Sequence, residues 1–121
     1  MSKILVIEDD SFLQSLEASK LTKEKFEVIT ASTGDDGMKK INEEGVALIL
    51  LDLMLPNFDG FDILKKVREQ ETTKAIPVIV FSNLSEESAM QKAEQLGATK
   101  FMVKSNFTLE ELVTEIKAIL K

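Results

Sequence analysis

The chain has 121 residues, 44% of them hydrophobic and 30% charged, with a net charge of −6. That length suits one domain, read here as residues 1–121, able to bury a core unaided, and with no Cys there is no disulfide framework. The acidic balance argues against nucleic-acid binding, and no apolar run approaches the ~18 residues of a membrane span. The absence of His excludes a Ser-His-Asp triad, His-ligated zinc and a phosphohistidine on this chain.

Met1-Ser2-Lys3 has no signal-peptide architecture and leads directly into a strand over Lys3–Glu8. With the lack of Cys, this suits a reducing, cytoplasmic setting. A helical stretch follows near Phe12–Lys23, then a strand over Glu27–Ala31 and a helix near Asp35–Glu44. Val46-Ala47-Leu48-Ile49-Leu50-Leu51 has no polar interruption and reads as a strand buried on both faces. Helices near Phe61–Gln70 and Ser85–Gln95 alternate with strands over Pro77–Ser82 and Thr99–Val103. In the last helix Leu109, Leu112, Val113, Ile116, Ile119 and Leu120 share one face. Thr108 and Glu111 have capping-box spacing at its start. Gly45 and Gly97 suit helix C′ positions with positive φ. Asp10 fits either a helix cap or a site role. Asp59 with Gly60 suits a loop-shaping role. The Glu/Lys mixture on the helices reads as a solvated surface.

Five strands alternating with helices predict an α/β fold, a parallel sheet covered on both faces. In such a sheet the strand C-terminal ends share one edge, where open α/β folds keep their ligand sites. Glu8, Asp9 and Asp10 follow the first strand, Asp52 the third and Lys104 the fifth, and Ser82 ends the fourth. Several carboxylates in one cleft must take up protons or a cation. Oxygen ligands without His or Cys favour Mg²⁺, Mn²⁺ or Ca²⁺. A carboxylate can also act as a nucleophile toward phosphorus, giving an aspartyl phosphate. A Lys ammonium would then offset phosphoryl charge, and a hydroxyl such as Ser82 would hydrogen-bond the bound group.

These residues stand in ordered motifs: Ile4-Leu5-Val6-Ile7-Glu8-Asp9-Asp10, Leu51-Asp52-Leu53-Met54-Leu55-Pro56, Asp59-Gly60, Val80-Phe81-Ser82, Gly97-Ala98 and Phe101-Met102-Val103-Lys104. The intervals are 43 residues from Asp9 to Asp52, 30 to Ser82 and 22 to Lys104. In motifs and spacing the whole chain resembles the receiver domain of response regulators, of the single-domain chemotaxis type. The resemblance implies a flavodoxin-like five-stranded parallel sheet of order 2-1-3-4-5. It implies Asp52 as phosphoacceptor, and Asp9 as direct Mg²⁺ ligand with Glu8 beside it, Mn²⁺ being an alternative ion. The backbone carbonyl of Met54 would be a further ligand. Lys104 would contact the phosphoryl group, Ser82 would be the switch hydroxyl and Phe101 the switch aromatic. The implied function is a phosphoacceptor switch of a two-component phosphorelay, charged by a sensor histidine kinase or phosphotransfer protein and read by a downstream protein. It is not a conventional enzyme, although it catalyses its own phosphorylation and dephosphorylation.

The chain departs from the family pattern at several positions. Ser105 replaces the usual proline after the lysine, which predicts a trans Lys104–Ser105 bond and an altered loop. Asn83 follows the switch hydroxyl where a small residue is usual, and its side chain is expected to narrow access to Asp52. Met54 and Leu84 are apolar and unable to orient an attacking water, which predicts slow self-dephosphorylation. Thr99-Lys100 after Ala98 and a last helix without Arg predict a monomer rather than a salt-bridged dimer. A pseudo-receiver that takes no phosphate is the alternative. A phosphatase of the Asp-x-Asp kind is disfavoured by Met54 in the second acid position.

Overall fold

The computed structural model describes all residues from Met1 to Lys121. The elements in order are β1 (Lys3–Ile7), α1 (Ser11–Lys23), β2 (Glu27–Ala31), α2 (Gly34–Lys40) and β3 (Val46–Leu51). A two-residue pair, β4 (Met54–Leu55) and β5 (Phe58–Asp59), precedes α3 (Gly60–Glu69). Then follow β6 (Val78–Ser82), α4 (Glu87–Gln95), β7 (Lys100–Val103), a 3₁₀ turn (Lys104–Asn106) and α5 (Leu109–Leu120). The main sheet is parallel in every pairing and runs β2-β1-β3-β6-β7. Set aside the small β4–β5 hairpin and this is the expected 2-1-3-4-5 order.

Side chains alternate across a sheet, so each strand feeds two cores. On one face Leu5, Ile7, Ile49, Leu51, Val78 and Val80 pack with Ile41 near α2, with Ile63, Leu64 and Val67 of α3, and with Ala93 of α4. On the other, Ile4, Val6, Leu48, Leu50, Ile79 and Met102 pack with Leu21 of α1 and with Leu112, Val113 and Ile116 of α5. The unbroken apolar run of β3 therefore reflects burial on both sides.

Local signals act as expected at several ends. Thr108 Oγ1 accepts from Glu111 N–H at 3.1 Å, and the Glu111 carboxylate accepts from Thr108 N–H at 2.8 Å, closing the capping box. Gly97 directly follows the α4 cap residue Leu96 with a φ of 98°, as expected of a C′ glycine; Gly45 also has a positive φ, 84°, but lies in the turn before β3, beyond the α2 cap at Ile41. The Lys104–Ser105 bond is trans, as is every peptide bond in the chain.

Two features differ from the sequence reading. Helix α2 ends at Lys40 rather than Glu44, because Asn42–Gly45 turns back into β3. The stretch after Asp52 forms a hairpin across Pro56-Asn57, where Asn57 takes a φ of 55°. Proline followed by a residue of positive φ is the chemistry of a type II turn.

Candidate functional site

Strand parity decides which face each strand-end residue meets. Glu8 continues the face of Ile4 and Val6, Asp52 that of Leu48 and Leu50, and Lys104 that of Met102. All three therefore converge on the α1–α5 side of the sheet edge. Lys104 Nζ lies 2.6 Å from Glu8 Oε1 and 2.6 Å from Asp52 Oδ2. The other Asp52 oxygen accepts from Met54 N–H at 2.9 Å, which draws the hairpin backbone over the acid. Glu8 Oε2 accepts from Asp10 N–H at 3.2 Å. Glu8, Asp9 and Asp52 each bring a carboxylate oxygen within 4.8 Å of the others. Glu8 and Asp52 are buried while Asp9 opens to solvent.

Burial pushes the Glu8 carboxyl up from its ordinary value, and the charge of Asp52 adds to this while Lys104 works against it. Burial alone would lower the Lys104 ammonium, but its hydrogen bonds to Asp52 and Glu8 outweigh that and hold it above the usual lysine range. Glu8 and Asp52 share one lysine and Asp9 adds a third carboxylate nearby, so acidic groups outnumber the lysine. An all-oxygen donor set in a chain without His or Cys fits a hard divalent cation such as Mg²⁺.

Ser82 and Phe101 belong to the opposite face. Ser82 is fully buried at the end of β6, and its hydroxyl accepts from Leu84 N–H at 3.3 Å. Phe101 is half-buried, packs on the core under α2–α4, and borders a cleft of about 390 Å³ beside Met90, Glu94 and Lys100. The charged residues and the Ser82–Phe101 pair thus approach one sheet edge from two sides. Asp10 proves to be the α1 cap, accepting from Leu13 N–H at 3.0 Å, and Asp59 caps α3 through Phe61 N–H at 2.9 Å. The Asn83 amide oxygen accepts from Ser105 N–H at 3.1 Å.

Two participants were not legible as such in the sequence. Gln14 Nε2 contacts the carbonyl of Glu8 at 2.8 Å, that of Ala31 at 3.2 Å and Ser32 Oγ at 3.0 Å, tying α1 to the backbone that carries Glu8. Glu17 is only 2% exposed, and neither carboxylate oxygen has a hydrogen-bond partner. It corrects the view of the helical Glu/Lys residues as a solvated surface. The one clue was its spacing of four from Leu21, the other buried residue of α1.

A doubly covered parallel sheet with a buried aspartate, a second acid pair and a lysine at its C-terminal edge defines a receiver-type signalling domain. The model of the response regulator receiver domain matches residues 4–117. The response regulator ArlR of Staphylococcus aureus is 36% identical over 121 residues, covering 100% of this chain and 53% of the relative. The chain thus spans about half the length of the curated relatives it matches. A CheY-like receiver domain from Methanospirillum hungatei superposes with a TM-score of 0.91 at 25% identity, covering 99% of this chain and 94% of that one. The BeF3-activated receiver domain of Klebsiella pneumoniae RstA gives 0.89 at 27% identity, covering 99% of each. The chain belongs to the response regulator receiver family of two-component systems. Members of that family are signalling phosphoacceptors that interact with histidine kinases or phosphotransfer proteins.

Proposed function

We propose that residues 1–121 act as one receiver unit whose phosphoacceptor is Asp52. The observation that carries this reading is the environment of that carboxylate. It is 5% exposed, held by Lys104 on one oxygen and by Met54 N–H on the other, with Glu8 and Asp9 within ligand distance. An oxygen of Asp52 attacks the phosphorus of a partner's phosphohistidine, forming an O–P bond while the P–N bond breaks and the imidazole leaves. Glu8, Asp9, Asp52 and the Met54 carbonyl would hold Mg²⁺, or Mn²⁺ in its place. When bound, the ion supplies charge neutralisation to the phosphoryl oxygens. Lys104 contacts the phosphoryl group, Ser82 donates a hydrogen bond to it, and Phe101 repacks toward the core. The altered α4–β7 surface is then read by a downstream protein.

The phosphodonor is a sensor histidine kinase or a phosphotransfer protein. Phe12, Leu16, Met54 and Phe107 are large apolar residues left exposed, all on segments that leave β1, β3 or β7 at the Asp52 edge. They offer that partner an apolar rim. The unit works as a cytoplasmic monomer that binds neither nucleic acid nor membrane. No helix is long and apolar enough to cross a membrane.

The test is incubation with Mg²⁺ and a small phosphodonor or beryllofluoride. A Mg²⁺-dependent adduct is expected in the unsubstituted chain and none in Asp52→Ala. No adduct in either would sink the reading in favour of a pseudo-receiver interaction module. Met54 and Leu84 cannot orient water, so the phosphoryl group is long-lived. Met54→Asn shortens its half-life in a decay assay, and an unchanged half-life counts against this explanation.

A further inference from the structure

The last rung between β6 and β7 is the pair Ser82↔Val103. Beyond it the two chains part, one toward α4 and the other into the 3₁₀ turn Lys104–Asn106. Such a turn leaves its first N–H groups without internal partners, and its own cap residue, Val103, supplies none. Asn83 fills the gap: its Oδ1 accepts from Ser105 N–H at 3.1 Å across the separation of the two strands. The residues joined are the immediate neighbours of Ser82 and Lys104. One side-chain bond thus continues the sheet past its last backbone rung, at the point where the hydroxyl and the ammonium emerge from opposite faces. A proline at position 105 would have no N–H to give, so Asn83 and Ser105 form a matched pair.

We propose that Asn83 is a positioning residue that latches the Ser82 segment to the Lys104 turn, so that hydroxyl and ammonium approach the phosphoryl group as one unit. This rests on the reading of Asp52 as phosphoacceptor. Without the latch the two segments close independently, and the active arrangement must order both.

One test needs no phosphoryl chemistry. In the metal-free chain the Ser105 amide exchanges slowly with deuterium, and Asn83→Ala speeds that exchange by about three- to ten-fold, the worth of one hydrogen bond. The second test titrates beryllofluoride at saturating Mg²⁺. Asn83→Ala raises the midpoint by about three- to ten-fold, while affinity for Mg²⁺ alone is unchanged because Glu8, Asp9 and Asp52 are untouched. The same shift appears in a Ser105→Ala background, which keeps the N–H. It vanishes in Ser105→Pro, which lacks it. Residues 83 and 105 are both exposed, and melting curves verify that each variant is folded. Unchanged exchange at Ser105, an unchanged midpoint, or an equal shift in the proline background overturns the latch. If the unsubstituted chain forms no adduct, the phosphoacceptor reading falls and the latch with it. A normal adduct indifferent to Asn83→Ala overturns the latch alone.

Discussion

Glu17 is buried beside the site with no hydrogen-bond partner for either carboxylate oxygen. Burial raises its pKa from 4.5 to about 8, with the charge of Glu8 adding to the shift and that of Lys104 opposing it. The folded chain therefore binds a proton that the unfolded chain gives up above pH 4.5. The sign follows: the stabilising proton is fully present below the unfolded pKa and is lost as pH rises through about 8. Glu17→Leu removes that dependence, so the variant gains on the unsubstituted chain as pH rises, by roughly 3–5 kcal/mol between pH 5 and pH 9. Urea melts across that range check it, and a stability gap that stays constant with pH refutes it. Lys104 is the contrasting case. It is half-buried, but with two carboxylates 2.6 Å from its ammonium it is paired, and its charge is kept.

At the scale of elements, the β4–β5 hairpin holds Met54 over Asp52, and its own seat is the start of α2. A Cβ built on Gly34 would lie 2.0 Å from Cγ of Phe58, so the ring rests directly on the glycine backbone. Gly34→Ala must push Phe58 and its hairpin aside, at about 1–3 kcal/mol as judged by overpacked cores. In a Phe58→Ala background the same change is neutral or stabilising, since alanine is the better helix former. Denaturant melts of the four proteins read this directly, and equal costs in both backgrounds would show that the contact is irrelevant. Helix α1 shows a different conflict. Glu17 faces the core while Phe12 is 74% exposed, the reverse of ordinary amphipathic patterning. The local sequence of α1 is therefore explained by what lies at the sheet edge rather than by core packing alone.

Across the whole molecule, two cores of 15 and 11 buried residues clamp one sheet and bring side chains 96 positions apart, Glu8 and Lys104, into contact. Under the proposed function a cation binds at that acidic edge, and binding to the folded state alone would stabilise it. Mg²⁺ at 100 times its Kd adds about 2.7 kcal/mol to the folded state if it binds only there. Thermal melting should rise with Mg²⁺ in the unsubstituted chain and much less in Asp9→Ala; equal shifts in both would place the ion elsewhere. Strand positions and the shared edge of Glu8, Asp52 and Lys104 were legible in apolar runs and strand–helix alternation, which are local properties, whereas the sheet order came only from the resemblance to the receiver family. Tertiary structure alone decided that Glu17 is sealed in without a partner, that Phe58 sits on Gly34, that Gln14 braces the Glu8 backbone and that Asn83 meets Ser105. Each depends on how segments distant in sequence are packed against one another, and no local pattern encodes that distance.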